Sequence, residues 1–317
     1  MADKVLSEDE EMEEVKDEEG TEFVIVDVDA EDIDLNQSRI AKITNLDQLT
    51  KVRTLCLRQN LIKKIECMEN LTSLEELELY DNQLTAVENL DTLVQLRLLD
   101  LSFNRIKKIE GLTNLTQLKK LFFVNNRVTK IENVDHLVQL EMLELGANRI
   151  RVIENISSLV NLTSLYLGKN KIPKITGLET LVNLRCLSLQ SNRIVKLEGL
   201  DTLTNLEELY FSDNGIEKVE GLDKNVKLTT IDFGNNRISA IENVSHLTAL
   251  EEFWFNGNKI SNFDDLKELA PIATLQTVYL ERNPIYYDGD KVPDPNYRRK
   301  IMLALPQLKQ IDATMCR

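Results

Sequence analysis

The sequence predicts an α/β solenoid of short stacked coils, and three observations carry that prediction. Ten asparagines, Asn60, Asn82, Asn104, Asn126, Asn148, Asn170, Asn192, Asn214, Asn236 and Asn258, follow one another at intervals of 22 residues. Around each lies one template, Leu-x-Leu-x-x-Asn-x-Ile, as in Leu77-Glu-Leu79-Tyr-Asp-Asn82-Gln-Leu84. The repeat also runs unbroken through a 317-residue chain that is long enough for two globular domains. A fixed period of this length marks supersecondary units that bury their apolar sides only by stacking.

Each coil is expected to open with a short strand, whose two leucines point inward on the period-2 rule. Positions such as Leu84 and Val87 then turn the chain back beneath the strand, and a stretch such as Leu90-Asp-Thr-Leu93 closes the outer face. The result is a leucine-rich-repeat solenoid with a concave parallel β-sheet. The asparagine stands where the chain leaves the strand. Its amide can both donate to and accept from backbone groups that the turn leaves unpaired, so stacked copies should form a ladder.

In chain order, residues 1–28 read as an acidic disordered tail, 29–285 as the solenoid of about twelve repeats, and 286–317 as a C-terminal cap. Ile33-Asp-Leu35 with Ser38 and Ile40 makes a degenerate first coil, and Val278-Tyr-Leu280 with Asn283 makes a last one, 25 residues after Asn258. The three extra residues are placed in Asn262–Thr274, where Asp264–Ala270 can form a helical turn. Tyr286–Pro293 reads as a loop. Tyr297–Leu305 reads as an amphipathic helix ended by Pro306, and Leu308 and Ile311 as one last partial strand over the open end of the core.

The formal charge of −15 is unevenly placed. Residues 1–34 hold sixteen acids and two lysines, while the rest of the chain holds 37 acids and 36 bases. Such a tail is too charged and too poor in apolar groups to fold alone. The near-neutral body offers no overall basic balance for nucleic acid. No signal-like leader or membrane-length apolar run is seen. Cys56, Cys67, Cys186 and Cys316 lack disulfide-cap or zinc spacing, which points to a reducing, intracellular compartment. The six Asn-x-Ser/Thr sequons are then by-products of the repeat.

Chemistry is sparse. His136 and His246 share one template position, in Val-Asp-His-Leu and Val-Ser-His-Leu, which points to a structural outer-face role. No phosphate loop, metal-ligand cluster or nucleophile–base pairing is present, so neither an enzyme nor a cofactor is expected. The glutamates after each second isoleucine, such as Glu88 and Glu132, are expected to pair with lysines or cap the outer turn.

One column stands out. Side chains between the two strand leucines must face the concave surface. They read Cys56, Glu78, Asp100, Phe122, Glu144, Tyr166, Ser188, Tyr210, Asp232, Trp254 and Tyr279, five aromatics in eleven, where the whole chain is 5% aromatic. Stacking between neighbouring strands could favour aromatics for stability alone, but here they mostly alternate with polar residues. Exposed aromatics among carboxylates have the make-up of a protein-binding surface. The adjoining column adds Glu76, Leu98, Lys120, Met142, Cys186, Glu208 and Glu252. The acidic later coils call for a partner with basic residues around an apolar pocket.

The 22-residue Leu-x-Leu-x-x-Asn-x-Ile-x-x-Ile-Glu unit resembles that of the leucine-rich-repeat regulatory subunits of type-1 serine/threonine protein phosphatase. The likeness is followed from Asp29 to Thr314 and is carried by stretches such as Thr54–Asn60, Glu251-Glu-Phe-Trp254, Val278–Pro284 and Tyr297–Pro306. The resemblance implies a non-catalytic regulator whose concave face holds the phosphatase catalytic subunit, with a small phosphatase inhibitor protein as a further partner. By motif it carries over Asp100, Phe122, Glu144, Tyr166, Asp232, Glu252, Trp254 and Tyr279; Tyr210 joins them from the column. Tyr166 replaces a phenylalanine of the family pattern, and the loop of 286–295 is longer. The short Arg/Lys-Val/Ile-x-Phe/Trp docking peptide of many phosphatase regulators is absent. Nucleus and cytoplasm are the implied locations. A cytoskeletal scaffold, axonemal or tubulin-linked, is the competing reading.

Overall fold

A computed structural model describes residues 27–46, 48–289 and 292–316. The acidic tail expected over 1–28 lies outside them apart from its last two residues. Twelve strands of three residues each follow the repeat: β1 (Asp32–Asp34), β2 (Thr54–Cys56), β3 (Glu76–Glu78), β4 (Leu98–Asp100), β5 (Lys120–Phe122) and β6 (Met142–Glu144). They continue as β7 (Ser164–Tyr166), β8 (Cys186–Ser188), β9 (Glu208–Tyr210), β10 (Thr230–Asp232), β11 (Glu252–Trp254) and β12 (Thr277–Tyr279). All twelve pair in parallel in sequence order. The register matches equivalent positions, as in Leu77↔Leu99 and Trp254↔Tyr279.

From β1 to β11 each coil returns without a helix. Consecutive tight turns close the outer face, as where Leu93 N–H donates to Leu90 O and Leu96 N–H to Leu93 O, both at 3.0 Å. The template leucines and isoleucines form one continuous core from Ile40 to Ile311. Toward the C-terminus, four phenylalanines replace leucines: Phe233 packs edge-on to Phe211 and Phe255, and Phe253 stacks on Phe255 at 3.8 Å.

The asparagine ladder forms as expected, and its wiring is specific. Asn82 Oδ1 accepts from Ile62 N–H at 3.0 Å, while its Nδ2 donates to Leu57 O of the preceding coil at 2.8 Å and to Leu79 O of its own. Each strand-end carbonyl from Leu57 to Phe255 therefore receives two asparagines, its own and the next coil's. A second ladder was not read from the sequence. Asn89, Asn133, Asn155 and Asn243 adopt positive φ and donate to a carbonyl of the coil before, at 2.7–2.8 Å. In the coils where this site is glycine, the need for positive φ is met directly, as at Gly111, where an added Cβ would lie 2.4 Å from Val87 O. His136 and His246 also act between coils, their Nε2 atoms 3.0 and 3.1 Å from Leu112 O and Leu222 O.

The three-residue insertion becomes a 3-10 turn at Phe263–Glu268, capped by the Asn262 side chain. The segment read as a loop is a small hairpin instead, β13 (Tyr287–Asp288) against β14 (Val292–Pro293). Tyr286 and Tyr287 pack edge-on there, which gives the hairpin apolar contact that a plain loop would lack. Helix α1 (Tyr297–Ala304) buries Tyr297 and Ile301 against the last coil. Then β15 (Gln310–Ile311) extends the sheet in parallel, and β16 (Thr314–Met315) reverses on it.

Candidate functional site

The concave column takes its shape from the sheet. With Leu99 and Leu121 committed to the core, Asp100 and Phe122 are forced to the opposite face and lie side by side in register. The sequence pictured these side chains as exposed. None of the eleven is: nine are half-buried, and Asp100 and Ser188 are buried. Strands only about 4.8 Å apart crowd large side chains against their neighbours.

At the N-terminal end, Arg58 ties two acids together, with Nε 2.5 Å from Glu78 and a terminal nitrogen 3.7 Å from Asp100. Its guanidinium also lies 5.7 Å from the ring centre of Tyr80, which in turn packs on Phe103. Asp100 Oδ1 further accepts the Ser102 N–H at 2.9 Å, and Asp232 accepts the Gly234 N–H in the same way. These aspartates thus fasten the strand exit as well as presenting charge, a role that Asp followed two residues later by Ser or Gly could have signalled.

The middle of the face is a trough. Adjoining depressions of about 370 and 380 Å³ share Phe103, Val124 and Glu144. The second opens over Gly146 and Gly168, beside Tyr166 and Lys169. Burial, reinforced by the Asp100 charge, raises the pKa of Glu144. Burial likewise pushes the Tyr166 hydroxyl up to about 12 and the Cys186 thiol to about 11. It raises Asp232 too, against the lowering effect of the Gly234 N–H.

At the C-terminal end, Tyr210 donates to Glu208 at 3.1 Å. Trp254 and Tyr279 meet edge-on at 5.6 Å between Asp232 and the cap, and Gln310 Nε2 donates to the Tyr279 hydroxyl at 2.8 Å. The indole N–H of Trp254 is buried and has no partner among the described residues. Glu252, on the same strand as Trp254, borders this pair. The nine site residues read from the sequence thus all lie on one face, split into an Arg58-tied N-terminal part, a central trough and a C-terminal aromatic pair. Among the described residues, no group of His, Cys, Asp and Glu could hold a metal ion, and no helix is long and apolar enough to cross a membrane.

A stacked parallel sheet with a ladder of inward leucines and a lined concave face defines a repeat protein built to present one long surface. The leucine-rich repeat family pattern matches residues 69–166 and 201–317, and the chain belongs to that family. Over 53 residues it is 57% identical to human protein phosphatase 1 regulatory subunit 7, a stretch that covers 17% of this chain and 13% of that protein. The Danio rerio protein of the same name is 58% identical over 53 residues, covering 17% and 14%. A Caenorhabditis elegans protein phosphatase 1 regulatory subunit SDS22 homolog is 58% identical over 43 residues, covering 14% and 12%. These alignments are much shorter than the span from Asp29 to Thr314 over which the family resemblance extends in the sequence. Among solved structures, an internalin (InlF) of Listeria monocytogenes superposes with a TM-score of 0.74 at 23% identity, covering 90% of this chain and 87% of its own. YopM of Yersinia enterocolitica gives 0.66 at 20% identity, covering 82% and 53%. Both show the fold alone.

Proposed function

We propose that the chain is a non-catalytic regulatory subunit that binds the catalytic subunit of type-1 serine/threonine protein phosphatase through its concave face and controls its activity or assembly. A small phosphatase inhibitor protein as a further partner, and residence in nucleus and cytoplasm, belong to the same proposal. The names of the relatives supply the partner. The observation that carries the face is the C-terminal cluster, where Trp254 and Tyr279 stand together beside Asp232 and Glu252. An aromatic pair flanked by carboxylates supplies the apolar anchor and the selecting charge of a protein interface. Asp232 and Glu144, whose charged forms burial disfavours, reward a partner cation placed against them.

The test is direct binding of the purified full chain to the phosphatase catalytic subunit, beside an E252A/W254A variant of matched melting temperature. Tight binding by wild type and its loss in the variant support both partner and face. Equal binding by the two moves the site off this cluster. No binding by wild type removes the phosphatase reading, and recovery of tubulin from extract by the same chain would favour the cytoskeletal one.

A further inference from the structure

The near-neutral sum of the repeat body hides a segregation of charge. Immediately after the ladder asparagine, the chain leaves the sheet along one flank of the solenoid. In five consecutive coils that position is Arg105, Arg127, Arg149, Lys171 and Arg193. Between the asparagine and the second core isoleucine or leucine, these five coils contain no acidic residue, and Lys107, Lys108 and Arg151 add further positive charge. Lys171 is half-exposed and the four arginines are exposed. None of the five forms an ion pair among the described residues. The contrast with their neighbours is direct, since Lys174 and Lys196 reach Glu198 and Glu220 of the next coil at 3.4 and 3.9 Å. Coils stack at the strand spacing of about 4.8 Å. That is shorter than the Debye length of about 8 Å at physiological salt, so the row acts as one field rather than five separate charges.

The same chain holds the complementary charge. Residues 1–26 contain eleven acids and two lysines, with Glu8-Asp-Glu-Glu11 and Asp17-Glu-Glu19 in runs. They join the solenoid at its first coil, and the basic row begins three coils further on, about 15 Å along the axis. A segment of 26 residues spans at most about 90 Å when extended, so it reaches the whole row. Tethering also gives it a local concentration in the millimolar range. A free polyanion approaching the row must first meet a chain whose net charge is −15. We infer that the N-terminal acidic segment, residues 1–26, docks in cis on the basic flank formed by Arg105, Arg127, Arg149, Lys171 and Arg193. This stands independently of the phosphatase reading.

Carbodiimide cross-linking of the full chain tests it, because the reagent joins a carboxylate to an amine only where the two touch. The expected result is links from residues 1–26 to Lys107, Lys108 or Lys171 rather than to Lys119 or Lys227, falling at least about five-fold in 0.5 M salt. An R105E/R127E/R149E variant with an unchanged melting temperature should lose them. Links spread evenly over the lysines, or insensitive to salt, overturn the inference. A second arm does not depend on that variant folding: full chains with and without E8Q/E10Q/E11Q/E13Q/E14Q are titrated with polyuridylate. Neutralising the segment should tighten binding about ten-fold by uncovering the row. Equal binding at any strength overturns the inference, and strong binding by both chains assigns the flank to nucleic acid.

Discussion

Asn148 offers the sharpest test of what holds the solenoid together. Its Oδ1 accepts the Val128 N–H at 2.9 Å, and its Nδ2 donates to Phe123 O at 2.7 Å and to Leu145 O and Gly146 O at 3.1 Å. Truncation to alanine does not orphan the three carbonyls. Phe123 O keeps Asn126, Leu145 O keeps Asn170, and Gly146 O keeps the Asn125 N–H. Only the buried Val128 N–H is left without a partner. An orphaned buried donor costs about 1–3 kcal/mol, and with the weakened carbonyl bonds Asn148→Ala should cost about 3 kcal/mol. Asn148→Asp is nearly isosteric and retains the acceptor, yet it turns an oxygen toward three carbonyls. It should therefore be worse than alanine by at least about 1 kcal/mol. Denaturant unfolding followed by circular dichroism measures both, and hydrogen exchange at the Val128 amide localises the loss. An aspartate variant within about 0.5 kcal/mol of wild type would refute the donor's role in the ladder.

Trp254→Ala should weaken binding to the phosphatase catalytic subunit by about 2–4 kcal/mol, read by calorimetry, with the fold intact by circular dichroism; unchanged affinity would exclude the aromatic pair as an anchor. Glu144 has its folded pKa raised by burial and by Asp100, so its contribution to stability is present below the unfolded carboxylate pKa and is lost as pH rises through the folded one. Glu144→Gln escapes that loss, and its melting temperature relative to wild type should climb between about pH 3.5 and pH 7; a pH-independent difference would contradict this. Asn225 sits where the template has leucine, fully buried, with Oδ1 lacking a partner among the described residues. Asn225→Leu should stabilise the chain by about 1–2 kcal/mol in the same unfolding assay, and a loss of stability would mean that its bonds to Leu200 O and Leu203 O outweigh the stranded oxygen.

The backbone architecture was legible because one rule repeats: alternate leucines fix the inward face, and the asparagine fixes where the strand ends. What repetition did not advertise was harder to read. The second left-handed position was visible as Asn or Gly after the template glutamate, but Asn and Gly share no obvious side-chain chemistry, and only their common positive φ unites them. The column of Asp100 to Tyr279 was found correctly as a face. Its degree of burial was not, since crowding depends on what stands on the neighbouring strand. Asp100 and Asp232 looked like partner-facing charge alone because the backbone N–H two residues on becomes an acceptor's target only once the turn has formed. The basic flank vanished in a whole-body sum, although Arg105, Arg127 and Arg149 share one template slot.

The two ends of the sheet are closed by different means. At the C-terminal end β16 runs backwards on β15, and the Asp312 carboxylate takes the N–H groups of Leu280 and Glu281, so the parallel growth direction stops there. At the other end β1 offers only Asp32, Ile33 and Asp34, with both aspartates exposed. Interior coils are interchangeable in a way these termini are not, because every bond of the ladder reaches just one coil back. A gene that gains or loses a whole 22-residue unit in the middle would keep its ladder intact and alter only the length of the surface. Loss of the reversed strand would instead expose β15 as an unprotected edge of the sheet.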